Sequence, residues 1–492
     1  MTTFAPPPAL GALIDAIVAS GNGTDPRAYV VGGTVRDVLM GREAHDLDLA
    51  VEGDAVAWAR RLAEQLAGHF VLLDEVQAVA RVVLDGGAVR HVDVARLQGS
   101  VEQDMRRRDL TIDALAVPLG NAAVIDVCGG VRDIAARVVR MNGTEVFDED
   151  PLRLLRAARI ASELEFEIEA GTAAAIRERA ARVNEAAAER RRDELARIFS
   201  LDRAYPALRL LDGLGLLDAL LPELTAGRGV TQPERFHAYD VFEHNIRAVE
   251  AMDTMLAPAT DAGSMWRTLW ETFAWCEGEL RAYLAEEMSE GRGRAGLLKL
   301  AALLHDVAKP ETRTEDADGR VRFFGHADAG AETARRIMRR LRFSSRESAF
   351  VSLLVAEHLR PVQLAEVGHV PTRRALYRFY RDLGDAAPEV LLLALADAAA
   401  ARGAKMTQDE WSRQVRYMNS LLVRSKEEEG IVDSPRLLTG HDIMSEFGLS
   451  QGTAVGKALE ALLEAQGAGE LHDREGALAF VRRLLGEGKR RD

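Results

Sequence analysis

The stretch YVVGGTVRDVLMGREAHDLDLAV, residues 29–51, decides how this chain is read. It opens with an apolar β-rich run, turns at Gly32-Gly33, passes through a short helical span and ends in DLDLAV, where acidic and apolar residues alternate. Two successive glycines carry no Cβ, so backbone N–H groups can approach a phosphate where the next helix starts, with Arg36 one turn in and facing the same anion. On extended backbone, Asp46 and Asp48 share one face while Leu47 and Leu49 point to the core. Neighbouring carboxylates repel unless a cation joins them. Mg²⁺ suits the pair, because it takes hard oxygen ligands and keeps room for waters and substrate phosphates. Asp93, in the predicted strand HVDVA (91–95) with Val92 and Val94 facing away, is the candidate third acid. A lone DxD also describes a strand end with solvated acids; the preceding Gly-Gly-x-x-Arg-Asp favours nucleotidyl transfer.

Working outward, residues 29–31, 46–51, 70–73, 79–84 and 91–95 read as strands and alternate with helical spans, an α+β head over 1–140. From about 145 the strand signal fades and Leu, Ala, Arg and Glu recur at helical spacing. Residues 141–228 form a helical neck, and TAGRGVTQPERFHAYD (225–240) marks a boundary to a second helical unit over 229–425. Within that unit TEDADGRVRFFGH (314–326) reads as a turn between short extended pieces. KEEEGIVDSPRLLTG (426–440) reads as a linker opening a small helical tail, 426–492.

The length of 492 residues requires several cores, and a composition 47% hydrophobic and 28% charged can build them. Cys128 and Cys276 stand far apart, so neither a disulfide framework nor a zinc ribbon is available, and a reducing cytoplasm is the natural compartment. Apolar stretches are interrupted, as Asp397 interrupts VLLLALADAAAARG, so no signal peptide or membrane span is expected. The 77 acidic residues outnumber the 63 basic ones, a net charge of −14, which argues against coating DNA; phosphate affinity rests instead on local clusters such as Arg106–Arg108 and Arg190–Arg192. Each cluster also fits a solvated helix face.

Four motifs occur in order: GGTVRDVLMGREAHDLDLAV, RRRDLTIDALAV (106–117), EDPLRLLRAARIA (149–161) and ERRRDEL (189–195). Together they resemble the bacterial-type (class II) tRNA nucleotidyltransferases and poly(A) polymerases of the polymerase-β superfamily, over residues 29 to about 225. The resemblance implies that Asp46 and Asp48 bind catalytic Mg²⁺, that Gly33, Arg36 and Arg108 hold the triphosphate, and that Asp109 reads the ribose. Asp150 and Arg153, three apart, are neighbours on one helix face and offer acceptors and donors to a base edge, although Asp-Pro also fits a helix start. In the family that pair templates C and A, with Arg156 and Arg159 following on the same face. The implied activity is template-independent transfer of CMP and AMP from CTP and ATP to the tRNA 3′ end, releasing pyrophosphate. Two departures stand out: Asp113 replaces the usual Asn, and only Leu97, Gln98 and Gly99 fill an interval where many members carry a longer flexible loop used in switching from C to A. CC-only addition, A-only addition and poly(A) synthesis therefore remain as alternatives.

Residues 236–400 hold a second set of chemistry-bearing groups, His244, His305, Asp306 and Asp397 in order, with His326 and His358 as further candidate ligands. Imidazole and carboxylate together suit a divalent first-row ion, and Mg²⁺ is the other candidate. This segment resembles an HD-type phosphohydrolase domain. The other readings are a domain kept for shape and RNA contact, and a hydrolase whose head only binds nucleotide. The expected partners are tRNA, CTP and ATP, with no membrane and no DNA; the sequence carries no signal for oligomeric state.

Overall fold

The computed structural model describes residues 3–19, 27–258, 263–366, 371–427 and 435–488. The chain divides into two compact units, Met1–Glu194 with Arg209–Leu220 and Leu195–Leu208 with Leu221–Asp492.

The first unit begins with α1 (Pro8–Ile17), β1 (Ala28–Val31), α2 (Gly33–Leu39), β2 (Asp46–Val51), α3 (Ala55–Gln65), β3 (His69–Asp74), β4 (Val79–Val83), β5 (His91–Arg96), α4 (Val101–Arg106), β6 (Leu115–Pro118) and β7 (Ile125–Asp126). These strands form one sheet in the order β3-β4-β5-β2-β1-β6-β7, in which β2 and β5 run parallel and all other neighbours antiparallel. Alternation sets what each face carries. Leu47, Leu49, Val92 and Val94 pack with Trp58 and Leu62 of α3, and each such fully buried side chain contributes about 1.5–3 kcal/mol. The opposite face covers itself with a smaller cluster that includes Tyr29, Val31, Ala50 and Met105. Asp46 and Asp48, on the Ala50 side of β2, therefore sit beside a thin cover and near solvent. At the sheet's edge β3 has a single neighbour, and Val71, Leu72 and Leu73 on it, with Val76 in the following turn, are exposed.

Helices then take over, as the sequence predicts: α5 (Gly130–Ala136), α6 (Val146–Glu149), α7 (Leu152–Leu164), α8 (Ala170–Arg179) and α9 (Ala188–Ser200). A parallel bridge of two residues a side, Val138–Val139 with Glu167–Ile168, interrupts them; strands that short leave no periodicity to read.

In the second unit the helix Ala387–Arg402 is buried on all sides through residues such as Leu391, Leu393 and Leu395, as an apolar helix in a core must be. Packed against it are Val241–Leu256, Arg294–Leu304 and Ser345–Glu357, and His326–Arg340 lies on the last of these. The expected turn appears as the hairpin Thr314–Glu315 with Val321–Arg322. Of the expected linker, 428–434 lie outside the described residues. The tail helices Gly440–Phe447, Thr453–Gly467 and Arg474–Gly488 close a small core around Leu438, Ile443, Leu462 and Val481. Cys128 and Cys276 are not joined by a disulfide, and among the described residues no helix is long and apolar enough to cross a membrane.

Candidate active site and metal centre

In the head, the parallel register sets Asp48 beside Asp93 and Asp46 beside His91. Gly32 stands opposite, with φ +68°, and a Cβ there would lie 2.7 Å from Arg108 Nη1, so only glycine fits. Gly33 also faces Arg36 Nη2 and Asp48 Oδ2, which lie in ordinary contact, 3.4 and 3.8 Å from where its Cβ would be. Thr34 fastens the turn to the strand: its hydroxyl accepts from Asp48 N at 2.9 Å and donates to the Asp46 carbonyl at 3.3 Å. Burial and the adjacent Asp93 push the Asp48 carboxyl up to about 6. Oxygen donors with excess negative charge fit a hard divalent cation, and Asp46 and Asp48 are placed to hold one.

The third acid is brought close, but it is not free. Arg81 on β4 donates from Nε and Nη2 to both oxygens of Asp93, at 2.7 and 2.8 Å, and His91 Nδ1 lies 3.1 Å from Asp46 Oδ1. Arg81 and His91 escape a reading of the sequence because cross-strand register, not local pattern, puts them there.

Arg36 also departs from expectation. Instead of reaching outward to an anion, it is buried and paired with Asp113 at 2.6 Å and Asp37 at 3.0 Å. Asp113 joins Arg36 to Arg156, whose Nη2 lies 3.6 Å away. Burial raises the Asp113 carboxyl, and the guanidiniums of Arg36, Arg156 and Arg108 outweigh it, leaving the group below the ordinary carboxylate range. Arg156 Nε reaches Asp109 Oδ2 at 2.7 Å, so Arg36, Asp113, Arg156 and Asp109 form one ionic chain.

Beside that chain opens a cavity of about 330 Å³ whose lining includes Arg108, Asp109, Asp150, Arg153, Arg156 and Arg190. Asp150 and Arg153 do not share a helix face. Asp150 is extended (φ −143°) ahead of Pro151, which caps α7, and its carboxylate takes two hydrogen bonds from Arg190, at 3.2 and 2.7 Å. Arg153 turns to the Val146 carbonyl and Glu149. Arg159 leaves the stripe altogether: it is buried and paired with Glu163 and Glu194, each at 2.5 Å.

The second unit brings its predicted ligands together. His244 Nε2 lies 3.2 Å from Asp306 Oδ2 and 3.1 Å from Asp397 Oδ1, and His305 Nε2 lies 3.4 and 3.6 Å from the same two atoms. Against burial, which lowers it, Asp306 and Asp397 raise the His305 imidazole to about 10, so without metal a proton supplies the missing positive charge. His326 and His358 complete the cluster on the far oxygen of Asp306. Asp306 Oδ1, His326 Nε2 and His358 Nε2 are buried without a hydrogen-bond partner among the described residues. Orphaned lone pairs on nitrogen and oxygen are what a cation would satisfy, and the donor set fits a divalent ion. Lys309 and Gln232, which the sequence reading passed over, stand beside it: Lys309 Nζ is 2.5 Å from Asp306 Oδ2 and donates to Gln232 Oε1 at 2.7 Å.

Three family models match segments of the chain. Residues 28–140 match the Poly A polymerase head domain, 165–227 the probable RNA and SrmB-binding site of polymerase A, and 280–402 the HD domain. Over 94% of its length the chain is 37% identical to an A-adding tRNA nucleotidyltransferase of Deinococcus radiodurans, of which 96% is covered. A CC-adding tRNA nucleotidyltransferase of Thermus thermophilus is 35% identical over 93% of this chain and 94% of its own. The solved complex of a CCA-adding enzyme with ATP shares the fold, with a TM-score of 0.60 at 21% identity over 98% of this chain and 95% of that one.

Proposed function

This chain belongs to the tRNA nucleotidyltransferase family, and from that premise we propose that it transfers CMP and AMP from CTP and ATP to the 3′ end of tRNA, releasing pyrophosphate. The observation that carries this reading is Asp46 and Asp48 side by side on β2, with Gly32, held at φ +68°, and Arg108 facing Asp48. Asp46 and Asp48 would hold Mg²⁺, which would supply positive charge where the RNA 3′-hydroxyl and the α-phosphate meet. Arg108 holds the triphosphate; Arg156 fixes Asp109 against the ribose, and Asp150, Arg153 and Arg190 present the polar edge that meets the base. Arg36 acts through Asp113 as a positioning residue. We assign residues 1–140 to the transferase head, 141–228 to the neck, 229–425 to the HD-type domain and 426–492 to the tail, with neck and tail receiving tRNA by its phosphates and 2′-hydroxyls. His244, His305, Asp306 and Asp397 hold a further divalent cation. Two cysteines that form no disulfide support a cytoplasmic site of action.

A second reading, addition of only C or only A, is favoured by the connection between β5 and α4. It is short and pinned: Ser100 and Gln103 form a capping box, and Gln98 N donates to Asp104 Oδ1 at 3.2 Å. Such a segment has little freedom to reset the site between nucleotides. The test is incubation of the full chain with tRNA lacking its terminal CCA, or ending in CC, with CTP, ATP or both, and products resolved to single nucleotides. Extension that Asp46→Ala/Asp48→Ala abolishes supports transfer; undiminished extension by that variant refutes it. Whether the ladder stops at C, at CC or at A assigns the partial reaction.

A further inference from the structure

We infer that Arg81 is a positioning residue for nucleotidyl transfer: acting through Asp93, it keeps the grip on the head's divalent cation at two carboxylates, Asp46 and Asp48, and so leaves that centre able to accept a triphosphate. This rests on the reading of the head as a transferase. Strand register sets the residues in one row. Asp48 stands opposite Asp93 across the parallel pair β2 and β5, and Asp93 stands opposite Arg81 across the antiparallel pair β5 and β4. Residues directly opposite on neighbouring strands share a sheet face, so all three side chains project to one side. The next row on that side, Ala50, Ala95 and Val79, lines the cavity that Arg108 and Arg156 also border. Arg81 is not one of the described residues that line it. Its influence on a bound nucleotide therefore passes through Asp93.

The guanidinium holds Asp93 by both oxygens: Nε donates to Oδ1 at 2.7 Å and Nη2 to Oδ2 at 2.8 Å. A two-pronged pair of this kind fixes direction as well as charge. Water reaches it, since the Arg81 side chain is 32% exposed and that of Asp93 26%, so its contribution to stability is small. Location gives it another role. His91 Nδ1 lies 3.1 Å from Asp46 Oδ1 while its Nε2 lies 4.0 Å from Asp93 Oδ2, which puts Asp93 one imidazole away from Asp46 and beside Asp48 in register. Released by Arg81, Asp93 would become a third acid at the pair.

Counting charge shows what that would change. Two carboxylates balance a divalent cation, and the neutral centre can still take phosphate oxygens from an incoming nucleotide. Three carboxylates leave it with one net negative charge: the cation is held more tightly and the triphosphate is repelled. Arg81 cancels the third charge at its source. A cross-strand tie kept only for stability has no such signature, because it alters neither the hold on the cation nor the affinity for nucleotide.

The test uses the full chain. Fe²⁺ with ascorbate cuts the backbone beside a bound ion, and cuts around Asp48 and Asp93 give fragments unlike in size to any from the second unit, so occupancy of the head is read by itself while Mg²⁺ is titrated in as competitor. KM for CTP and ATP and kcat of tRNA extension are measured alongside. In Arg81→Met the head is expected to hold Mg²⁺ about tenfold more tightly and KM for both nucleotides to rise about tenfold, with a smaller change in kcat. Arg81→Lys, which keeps the charge, should stay close to wild type. Arg81→Met/Asp93→Asn should return both values to within about twofold, because the charge to be cancelled is gone. Asp93→Asn alone, with Arg81 uncompensated, should shift both the opposite way, Mg²⁺ looser and KM lower; a raised KM there makes Asp93 itself a ligand and overturns the proposal, whether or not Arg81→Met folds. Unchanged Mg²⁺ affinity in Arg81→Met reduces the pair to a tie between strands and overturns it. A raised KM that persists in the double variant overturns it as well, and makes Arg81 a direct contact of nucleotide or RNA. Head cleavage that survives in Asp46→Ala/Asp48→Ala overturns instead the metal reading beneath, and this one with it.

Discussion

Asp113 is a buried carboxylate between two guanidiniums, Arg36 at 2.6 Å and Arg156 at 3.6 Å. Its removal leaves cations buried without their partner, so Asp113→Ala is expected to destabilise the first unit by about 3–5 kcal/mol, and Asp113→Asn, which keeps an acceptor, by less. The folded carboxyl lies below its unfolded value, so its contribution is present above about pH 4 and lost as pH falls through the folded value. Urea midpoints of wild type and variant should therefore converge in acid and separate near neutrality. At this scale the sequence showed Asp46 and Asp48, because alternation along one strand is local. It could not show that Arg81 clasps Asp93 or that Arg36 turns inward, since those partners come from other strands and from the Thr111–Asp113 turn.

Helix α7 explains why an arginine stripe split. Residues three apart drift by about 60° around a helix of 3.6 residues per turn, so from Arg153 to Arg159 the direction rotates by about 120°. Arg153 and Arg156 border the cavity, and Arg159 lands in the interior, paired with Glu163 and Glu194. Arg159→Met should cost about 3–5 kcal/mol by stranding buried Glu194, while the folded protein extends tRNA at the wild-type rate. Thermal melts together with initial rates check both halves; a lost rate without a lost melting point would return Arg159 to the nucleotide. Strands with apolar alternation over five or six residues were legible, as β2, β4 and β5 demonstrate. The position of Asp150 was not, because the proline after it starts the helix one residue too late for Asp150 to share its face with Arg153.

Across the whole chain, the two proposed metal sites imply two separable responses to chelation. Removing divalent ions should abolish tRNA extension, with Mg²⁺ restoring it, and should also lower the melting transition of the second unit. A ligand that binds only the native state stabilises by about 2.7 kcal/mol at a hundredfold excess over its dissociation constant. Calorimetry on Asp46→Ala/Asp48→Ala should retain that second shift, because His244, His305, Asp306 and Asp397 are untouched. The order of motifs announced a nucleotidyltransferase head followed by an HD-type domain. The candidate ligands His244, His305, His326 and His358 do meet on Asp306, whereas Lys309 and Gln232 beside it were not legible, since their approach depends on how separate helices pack. The outermost strand β3 carries a different implication. Outermost among the described residues and flanked by bare valine and leucine, it offers a seam along which a second molecule can knit its own sheet, so turbidity is expected to climb with protein concentration.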